Sequence, residues 1–363
     1  MGSDPAIGLC TEDAGAEKGS LDLSMKTGES HKGVGMILTM RAGRPRFARF
    51  PGVLIAICGS LLLVTPSPAQ KKTLKLAVPS VNEGLLPIKV AIDQGLFKAE
   101  GVSVELINFR GGGPAVQAFA SGGVDLCICA ADHVVRLVNR RFDARIIVGL
   151  DEHHSYALLG KAGVPYGDVK SLKGKRIGVT SAGSLTDNTV RWAITKAGLR
   201  PERDFQIVSA GGGAAMRAAI DTGQVDAGAV VSTEVSDYLR SGKFKVVTDW
   251  RTLQYPALVV MGRQKWVDAD REEARRFVRA VARALQIVQT DSAVVARSAK
   301  VLYPTFSNQA LADIAASAKV RLSKDGSVSA QGFEVMQEVV LLSDATLTRV
   351  KKADVDLQPA LSR

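Results

Sequence analysis

From residue 72 onward, short apolar runs alternate with segments in which apolar residues recur every three or four positions. An apolar or alternating run of four to eight residues favours a β-strand, and the longer period favours an amphipathic helix. Strands are predicted at 73–78, 102–109, 126–130, 145–150 and 176–180. Helices are predicted between them, for example at 87–94 and 186–197. This order of elements is typical of an α/β fold with mainly parallel sheets.

A repeat with a spacing of about one hundred residues is the most informative feature of the chain. Gly111-Gly112-Gly113, followed by Val124-Asp125, returns as Gly211-Gly212-Gly213, followed by Val225-Asp226. In each copy the pattern predicts a strand, a glycine turn, a helix and a second strand. The sequence therefore predicts two α/β lobes of similar construction.

After residue 250 the pattern becomes mainly helical. A strand at 257–261 is followed by helical periodicity over 271–291, 292–303, 308–319 and 330–342. We expect this block to pack on the first lobe. The chain would then cross between the lobes near 158–162 and near 250–257. The predicted division assigns 72–160 and 255–363 to lobe 1, and 161–254 to lobe 2.

The segment before residue 72 shows the order of features of a secretory signal. Arginines between Arg41 and Arg49 precede an apolar run from Val53 to Val64, and small residues end at Ala69. This order predicts a cleavable signal peptide over 41–69, with Gln70 as the first residue of the exported chain. An uncleaved anchor is the alternative, for which the apolar run is short. Residues 1–40 are assigned to a disordered extension or a misassigned start.

Composition restricts the class of protein. Hydrophobic residues make up 46% and charged residues 23%, which is ordinary for a soluble globular protein. The net charge is +11, and nearly all of the excess lies after residue 70. Aromatic residues make up only 5%, and no basic run with interleaved aromatics follows residue 70. We therefore expect a scattered surface charge and no nucleic-acid partner.

No metal, cofactor or catalytic motif is predicted. Cys127 and Cys129 occupy alternate positions of a strand, and we expect them to be small buried side chains and neither a disulfide nor metal ligands. Asp151 to His154 lacks zinc-protease spacing, and its adjacent histidines point to opposite sides of an extended segment. A nucleophile elbow and a phosphate loop are both absent from the sequence. An enzyme is therefore not expected.

The candidate binding residues follow from where ligands bind in open parallel sheets, beyond the carboxyl ends of the strands and at helix starts. In the first lobe they are Asn82, Glu83, Gly112, Gly113 and Asp132, and in the second Ser181, Gly183, Ser184, Thr186, Gly212, Ser232 and Thr233. The alternative is that Ser184 only caps its own helix and that the glycines only allow tight turns.

Several short motifs follow one another along the chain, namely Pro87, Ala91, Gly95-Leu96-Phe97, Glu100-Gly101-Val102, Gly111-Gly112-Gly113, Gly122 to Asp125, Leu172 to Val179 and Gly223 to Asp226. In this order they resemble the periplasmic substrate-binding proteins of ABC importers, in the group that binds nitrate, sulfonates, taurine and thiamine precursors. The similarity covers roughly residues 72–290. These motifs are moderately specific, because they report a fold and a class of protein and not a ligand.

The resemblance implies a type 2 periplasmic-binding-protein fold, in which two lobes close around a small-molecule solute. It also implies a periplasmic location and delivery to a membrane permease and its ATPase. We expect a monomer. The ligand stays open between an anion of the sulfonate or nitrate type and an aromatic or pyrimidine-type compound such as a thiamine precursor. Glu83 and Asp132 would repel an anion unless they face away or meet an amine. Related enzymes of thiamine-precursor synthesis carry a cysteine cluster that this sequence lacks.

Overall fold

The computed structural model describes residues 72–362, in which strands and helices alternate. In chain order the strands are β1 (Leu74–Val78), β2 (Val104–Asn108), β3 (Leu126–Cys129), β4 (Arg145–Gly149), β5 (Tyr156–Lys161), β6 (Arg176–Val179), β7 (Gln206–Ser209), β8 (Ala227–Val231), β9 (Phe244–Asp249) and β10 (Val259–Gly262). The helices are α1 (Leu86–Asp93), α2 (Leu96–Ala99), α3 (Gly112–Ser121), α4 (Asp132–Asn139), α5 (Leu185–Lys196), α6 (Pro201–Asp204), α7 (Ala214–Asp221), α8 (Ser232–Arg240), α9 (Gln264–Ala269), α10 (Arg271–Thr290), α11 (Ser292–Leu302), α12 (Asn308–Arg321), α13 (Ala330–Ser343), α14 (Lys352–Val355) and α15 (Gln358–Leu361). The predicted α/β class is confirmed.

The two sheets of this region share one topology. Their strand orders are β2-β1-β3-β10-β4 and β7-β6-β8-β5-β9. In each sheet the first three strands run parallel, and the fourth is antiparallel to both of its neighbours. Strands β3 and β8 are buried along their whole length, which explains their unbroken apolar sequence. The shared order confirms the internal repeat.

The chain passes between the sheets twice. It leaves the first sheet through residues 150–155 and returns through residues 250–258. The return agrees with the predicted crossing near 250–257. The first passage is earlier than the predicted 158–162, because those residues belong to β5, which pairs with β8 and β9. We call the first sheet and the helices on it lobe 1, and the second sheet with α5 to α8 lobe 2.

The carboxy-terminal helices serve both lobes. Helices α10 and α11 pack against α1, and α12 packs against both of them, as expected for lobe 1. Helix α13 packs chiefly against α5 of lobe 2 and also contacts α4 of lobe 1. Its Phe333 and Met336 are buried in one apolar cluster with Val190 and Ile194 of α5. The prediction that the whole block packs on lobe 1 is therefore wrong for α13.

Cys127 and Cys129 lie on one face of β3 and are fully buried, as predicted. The structure records them as a disulfide, where the sequence analysis expected two separate side chains. The Cα atoms are 5.4 Å apart, which lies within the range of protein disulfides. The two positions therefore meet the Cα–Cα separation of a disulfide, which the sequence analysis did not expect of alternate residues in one strand.

Between residues 72 and 362 no helix is both long enough and apolar enough to cross a membrane. The predicted signal peptide at 41–69, the predicted start at Gln70 and the predicted extension at 1–40 lie outside the described residues.

Candidate functional site

A cavity of about 530 Å³ lies between the two lobes. Lobe 1 contributes Asn82, Arg110, Gly112 and His133 to its wall, and lobe 2 contributes Thr180, Ser184, Gly212 and Glu234. Aromatic walls come from Phe109, Tyr156, Tyr303 and Phe306. The cavity therefore lies at the carboxyl ends of the parallel strands, where open α/β sheets bind ligands.

The three parallel strands of lobe 1 each bring a polar side chain to this cavity. Asn82 follows β1, Arg110 follows β2, and His133 lies in the first turn of α4, after β3. Parallel strands end at the same edge of a sheet, so residues that are distant in sequence meet there. The burial of β1 and β3 fixes the positions from which two of these side chains extend.

Glycine is needed where the loop after β2 approaches other parts of the site. Gly111 has a φ of +118°, and a Cβ at this position would lie 3.0 Å from Ser181 Oγ of lobe 2. A Cβ on Gly112 would lie 3.1 Å from Nε2 of His133. Gly111 is therefore required by its positive φ and by the close approach of Ser181, and Gly112 by the close approach of His133.

Three hydroxyl groups meet at the start of α5. Thr180 Oγ1 donates to Ser184 Oγ at 3.0 Å, and Thr186 Oγ1 lies 2.9 Å from the first and 2.8 Å from the second. Thr186 Oγ1 also accepts from the backbone N–H of Thr180 at 2.9 Å. Ser184 accepts from the N–H of Asp187 and so caps the helix. Thr180 and Ser184 form part of the cavity wall, and Thr186 holds them in place.

Two charged residues line the cavity without a protein partner for their side chains, the exposed Arg110 and the half-buried Glu234. Among residues 72–362 neither Arg110 of lobe 1 nor Glu234 of lobe 2 forms a side-chain hydrogen bond or ion pair. Burial raises the pKa of Glu234, and Arg217 acts in the opposite direction from beyond ion-pair distance. Burial also lowers the pKa of His133, so its imidazole is neutral at neutral pH. Arg110 and Glu234 are therefore available to charged groups of a ligand.

Asn82 presents an unsatisfied acceptor at the cavity. Its side chain is 2% exposed, and its Oδ1 has no hydrogen-bond partner within the described part of the chain. A buried polar atom without a partner costs about 1–3 kcal/mol. A ligand that donates a hydrogen bond to this oxygen would remove that cost.

Eleven of the twelve predicted site residues fall into three groups, and the twelfth, Asp132, lines neither pocket. Asn82, Gly112, Ser184 and Gly212 line the cavity. Gly113, Ser181, Gly183 and Thr186 belong to the adjoining loops and helix starts without lining it. Ser232, Thr233 and Glu83 line a second, polar pocket of about 270 Å³. Their roles in ligand binding remain predictions.

Both predicted carboxylates of lobe 1 have protein partners. Glu83 is 3% exposed and accepts from Nε of Arg321 at 2.8 Å. Asp132 is fully buried and accepts from the side-chain amide of Asn188. The carboxylate that faces the cavity is Glu234, which the sequence analysis missed. Its position, directly after the predicted pair Ser232 and Thr233 at the end of β8, was the signal that could have found it.

The segment from Asp151 to His154 forms the first crossing between the lobes. His154 is fully buried, and burial lowers its pKa to about 3. Its Nδ1 accepts from the N–H of Tyr156 at 3.2 Å, so Nε2 carries the proton and donates to Thr189 Oγ1 at 2.8 Å. Within residues 72–362 no group of three His, Cys, Asp or Glu side chains is placed to hold a metal ion.

Solved structures with this fold include solute-binding proteins. The alkanesulfonate-binding protein SsuA from Xanthomonas axonopodis pv. citri has a TM-score of 0.66 and 17% identity, with 79% of this chain and 99% of that chain covered. The periplasmic nitrate-binding protein NrtA from Synechocystis PCC 6803 has a TM-score of 0.55 and 17% identity, with 67% and 70% covered. These similarities confirm the two-lobed periplasmic-binding-protein fold.

Sequence relatives carry two kinds of name. The putative binding protein YtlA from Bacillus subtilis (strain 168) is 22% identical, over 66% of this chain and 74% of YtlA. The 4-amino-5-hydroxymethyl-2-methylpyrimidine phosphate synthase THI13 from Saccharomyces cerevisiae is 25% identical, over 57% of this chain and 64% of THI13. The chain thus spans slightly less than two thirds of the yeast protein. The NMT1/THI5-like family profile matches residues 82–292, and the chain belongs to this family.

Proposed function

We propose that the protein is the solute-binding component of an ABC importer. The support is its family, a fold shared with sulfonate-binding and nitrate-binding proteins, and a cavity enclosed by two lobes. Two crossings join the lobes, an arrangement that permits hinged closure around a ligand. In this proposal the protein is exported by its signal peptide, works in the periplasm as a monomer, and delivers its solute to a membrane permease and ATPase.

The cavity favours an organic solute over a small inorganic ion. Its volume of about 530 Å³ falls in the range of roughly 300 to 1,000 Å³ that is common for organic ligands. Phe109, Tyr156 and Phe306 give it aromatic walls. A nitrate ion would leave most of these walls without a contact, so within the anion class we propose an organic anion such as a sulfonate.

An anionic group has favourable partners at two places in the cavity. Arg110 offers an unpaired guanidinium from lobe 1. Ser184 offers a hydroxyl from lobe 2 at the start of α5, where the helix dipole adds about 0.3–1 kcal/mol for a negative partner. Because these groups belong to different lobes, an anion bound between them would favour the closed arrangement.

A ligand with N–H donors is the second candidate, and Glu234 is the observation that favours it. Glu234 and the unpaired Oδ1 of Asn82 are both acceptors on the cavity wall. An amino group on an aromatic or pyrimidine-type ring would supply donors to them and place the ring among the aromatic walls. The yeast relatives are named for a pyrimidine product, and an enzyme on this fold is the alternative that the experiment below also tests.

Mass spectrometry of small molecules released from the purified protein tests the general proposal. We expect an organic compound that rebinds to the emptied protein with one site per chain. Failure of the released compound to rebind, as measured by calorimetry, would overturn the assignment as a solute-binding protein. Conversion of that compound to a new product during incubation would show catalysis.

Glu234→Gln separates the two ligand classes. For 4-amino-5-hydroxymethyl-2-methylpyrimidine we expect at least a tenfold loss of affinity, because a charged acceptor of an N–H group is removed. For an alkanesulfonate we expect unchanged or improved affinity, because a repulsive charge is removed. Asp237→Asn is the matched control, since Asp237 is exposed on the same helix and pairs with Arg240. Equal effects of the two substitutions would exclude a direct role for Glu234.

A further inference from the structure

A buried side-chain amide links α4 of lobe 1 to α5 of lobe 2 behind the ligand cavity. Asn188, on α5 of lobe 2, is 1% exposed. Its Nδ2 donates to Oδ2 of Asp132, and its Oδ1 accepts from Arg136 at 2.6 Å. Asp132 and Arg136 lie one helical turn apart on α4 of lobe 1, so they contact the two ends of the same amide. A neutral group of lobe 2 thus binds an anion and a cation of lobe 1 at once.

Helix α13 completes this contact from a third direction. Arg136 also donates to Ser343 Oγ at 2.9 Å and to Asp344 Oδ2 at 2.8 Å. Ser343 is the last residue of α13, which packs on both α4 and α5. The guanidinium is therefore fixed by groups outside α4, and its direction toward Asn188 is constrained.

Separation of α4 from α5 at this point would be unfavourable. Asp132 is fully buried, and its Oδ1 has no partner within residues 72–362. Loss of the Asn188 amide would leave its other oxygen without a donor as well. Buried charges are tolerated only when they are paired or hydrogen-bonded. The amide therefore opposes movement of the two helix starts away from each other.

Both helices begin at the ligand cavity. His133, which directly follows Asp132, lines the cavity from lobe 1. Ser184, one helical turn before Asn188, lines it from lobe 2. A shift between α4 and α5 would change the separation of these two lining residues. The position of α4 relative to α5 thus controls the distance between His133 and Ser184 on the cavity wall.

We propose that Asn188 is a positioning residue that aligns the starts of α4 and α5 across the lobe boundary and so sets how far the lobes open. The inference goes beyond the proposed function and does not depend on which solute binds. It also assigns Asp132, a predicted ligand contact, to lobe alignment.

The test uses ligand-free protein and an exchange of side chains. Asn188→Asp places a second carboxylate against Asp132, and we expect the lobes to move apart. The double variant Asp132→Asn with Asn188→Asp restores one amide and one carboxylate in exchanged positions, and we expect it to return the lobes to the wild-type separation. Asn308→Asp is the matched control, because it makes the same chemical change at an exposed position of α12.

The distance between spin labels on the two lobes is the measured quantity. Lys98→Cys in lobe 1 and Lys243→Cys in lobe 2 are exposed label sites, with Cys10 and Cys58 replaced by serine. The proposal requires a longer distance in Asn188→Asp and the wild-type distance in both the exchanged pair and the control. An unchanged distance in Asn188→Asp, even with a lower melting temperature, would show a merely structural role and overturn it.

A second variant covers the case in which Asn188→Asp does not fold. Asn188→Ala removes both hydrogen bonds of the amide without adding a charge. We expect a broader label-distance distribution that extends to longer separations. A folded Asn188→Ala variant with the wild-type distribution would overturn the proposal, as would an exchanged pair that folds with widely separated lobes. Neither result would affect the assignment as a solute-binding protein.

Discussion

Arg321 donates from Nε to Oε2 of Glu83 at 2.8 Å, and this buried ion pair ties the end of α12 to the loop after β1. The same guanidinium donates to the carbonyl oxygens of His154 at 2.8 Å and Arg251 at 3.3 Å. His154 lies in the first crossing and Arg251 in the second. Arg321 is only 7% exposed. One shielded side chain of lobe 1 therefore holds both crossings between the lobes.

Arg321→Met should lower the free energy of unfolding by at least about 3–5 kcal/mol, because it leaves two buried carboxylates, Glu83 and Asp151, without their shared cation. Burial raises the pKa of Glu83, and Arg321 opposes that effect. The substitution should therefore raise the pKa of Glu83 further. The loss of stability should grow as pH rises through this pKa, because Glu83 must then ionise without the Arg321 guanidinium. Urea unfolding at several pH values measures both effects.

The matched control for that prediction is Arg349→Met. Arg349 pairs with Glu334 at 2.5 Å, but both side chains are more than half exposed. Surface ion pairs contribute about 0–1 kcal/mol, so little change is expected. Equal destabilisation by the two substitutions would contradict the prediction that burial makes the Arg321 ion pair more costly to break.

The strands and turns could be predicted from the local pattern of apolar residues and glycines, because that pattern follows from burial and backbone conformation. Strand β3 is apolar because it is buried on both faces, and Gly111 marks a turn that other residues adopt with strain. The sequence could not predict whether a given carboxylate faces the cavity or binds another part of the protein. Glu83 points to Arg321, a residue more than 200 positions away. Sequence periodicity reports which face of an element is buried, but it does not report the partner that meets that face.

His154 predicts a loss of stability on acidification. Burial lowers its pKa to about 3, whereas an unfolded histidine titrates near pH 6.5. Between these values the unfolded chain binds a proton that the folded chain does not, so stability falls as pH decreases from about 6.5 toward 3. The contribution of this residue at pH 5 should be about 2 kcal/mol lower than at pH 7.

His154→Gln isolates this effect, because glutamine keeps a donor and an acceptor but does not titrate. Urea unfolding at pH 7 and pH 5 should show a smaller decrease for His154→Gln than for the wild type, by about 2 kcal/mol. Other groups titrate equally in the two proteins and cancel in the comparison. Identical decreases would mean that the folded protein binds the proton at His154 at pH 5.

Gly112→Ala should reduce the capacity of the cavity to hold its solute. The added Cβ would lie 3.1 Å from His133 Nε2 and 3.9 Å from Ser184 Cβ, so the His133 ring must shift into the cavity or away from it. Because Gly112 begins α3 without a positive φ, stability should change by less than about 1 kcal/mol. The amount of small molecule that co-purifies, measured by mass spectrometry, checks the prediction. Gly163→Ala is the control, since no atom lies within 4 Å of its added Cβ.

Thr186 and Ser181, both predicted as ligand contacts, should respond differently to loss of their hydroxyl groups. Thr186 Oγ1 accepts from the N–H of Thr180 at 2.9 Å and is buried at 1% exposure. Thr186→Val removes that acceptor and should cost about 1–3 kcal/mol of unfolding free energy. Ser181 Oγ has no partner within residues 72–362, so Ser181→Ala should change stability by less than about 0.5 kcal/mol. Urea unfolding of the two variants tests this difference. If both variants instead keep wild-type stability and lose the co-purifying solute together, the two hydroxyls bind the ligand directly, and the hydrogen bond to Thr180 is of little energetic importance.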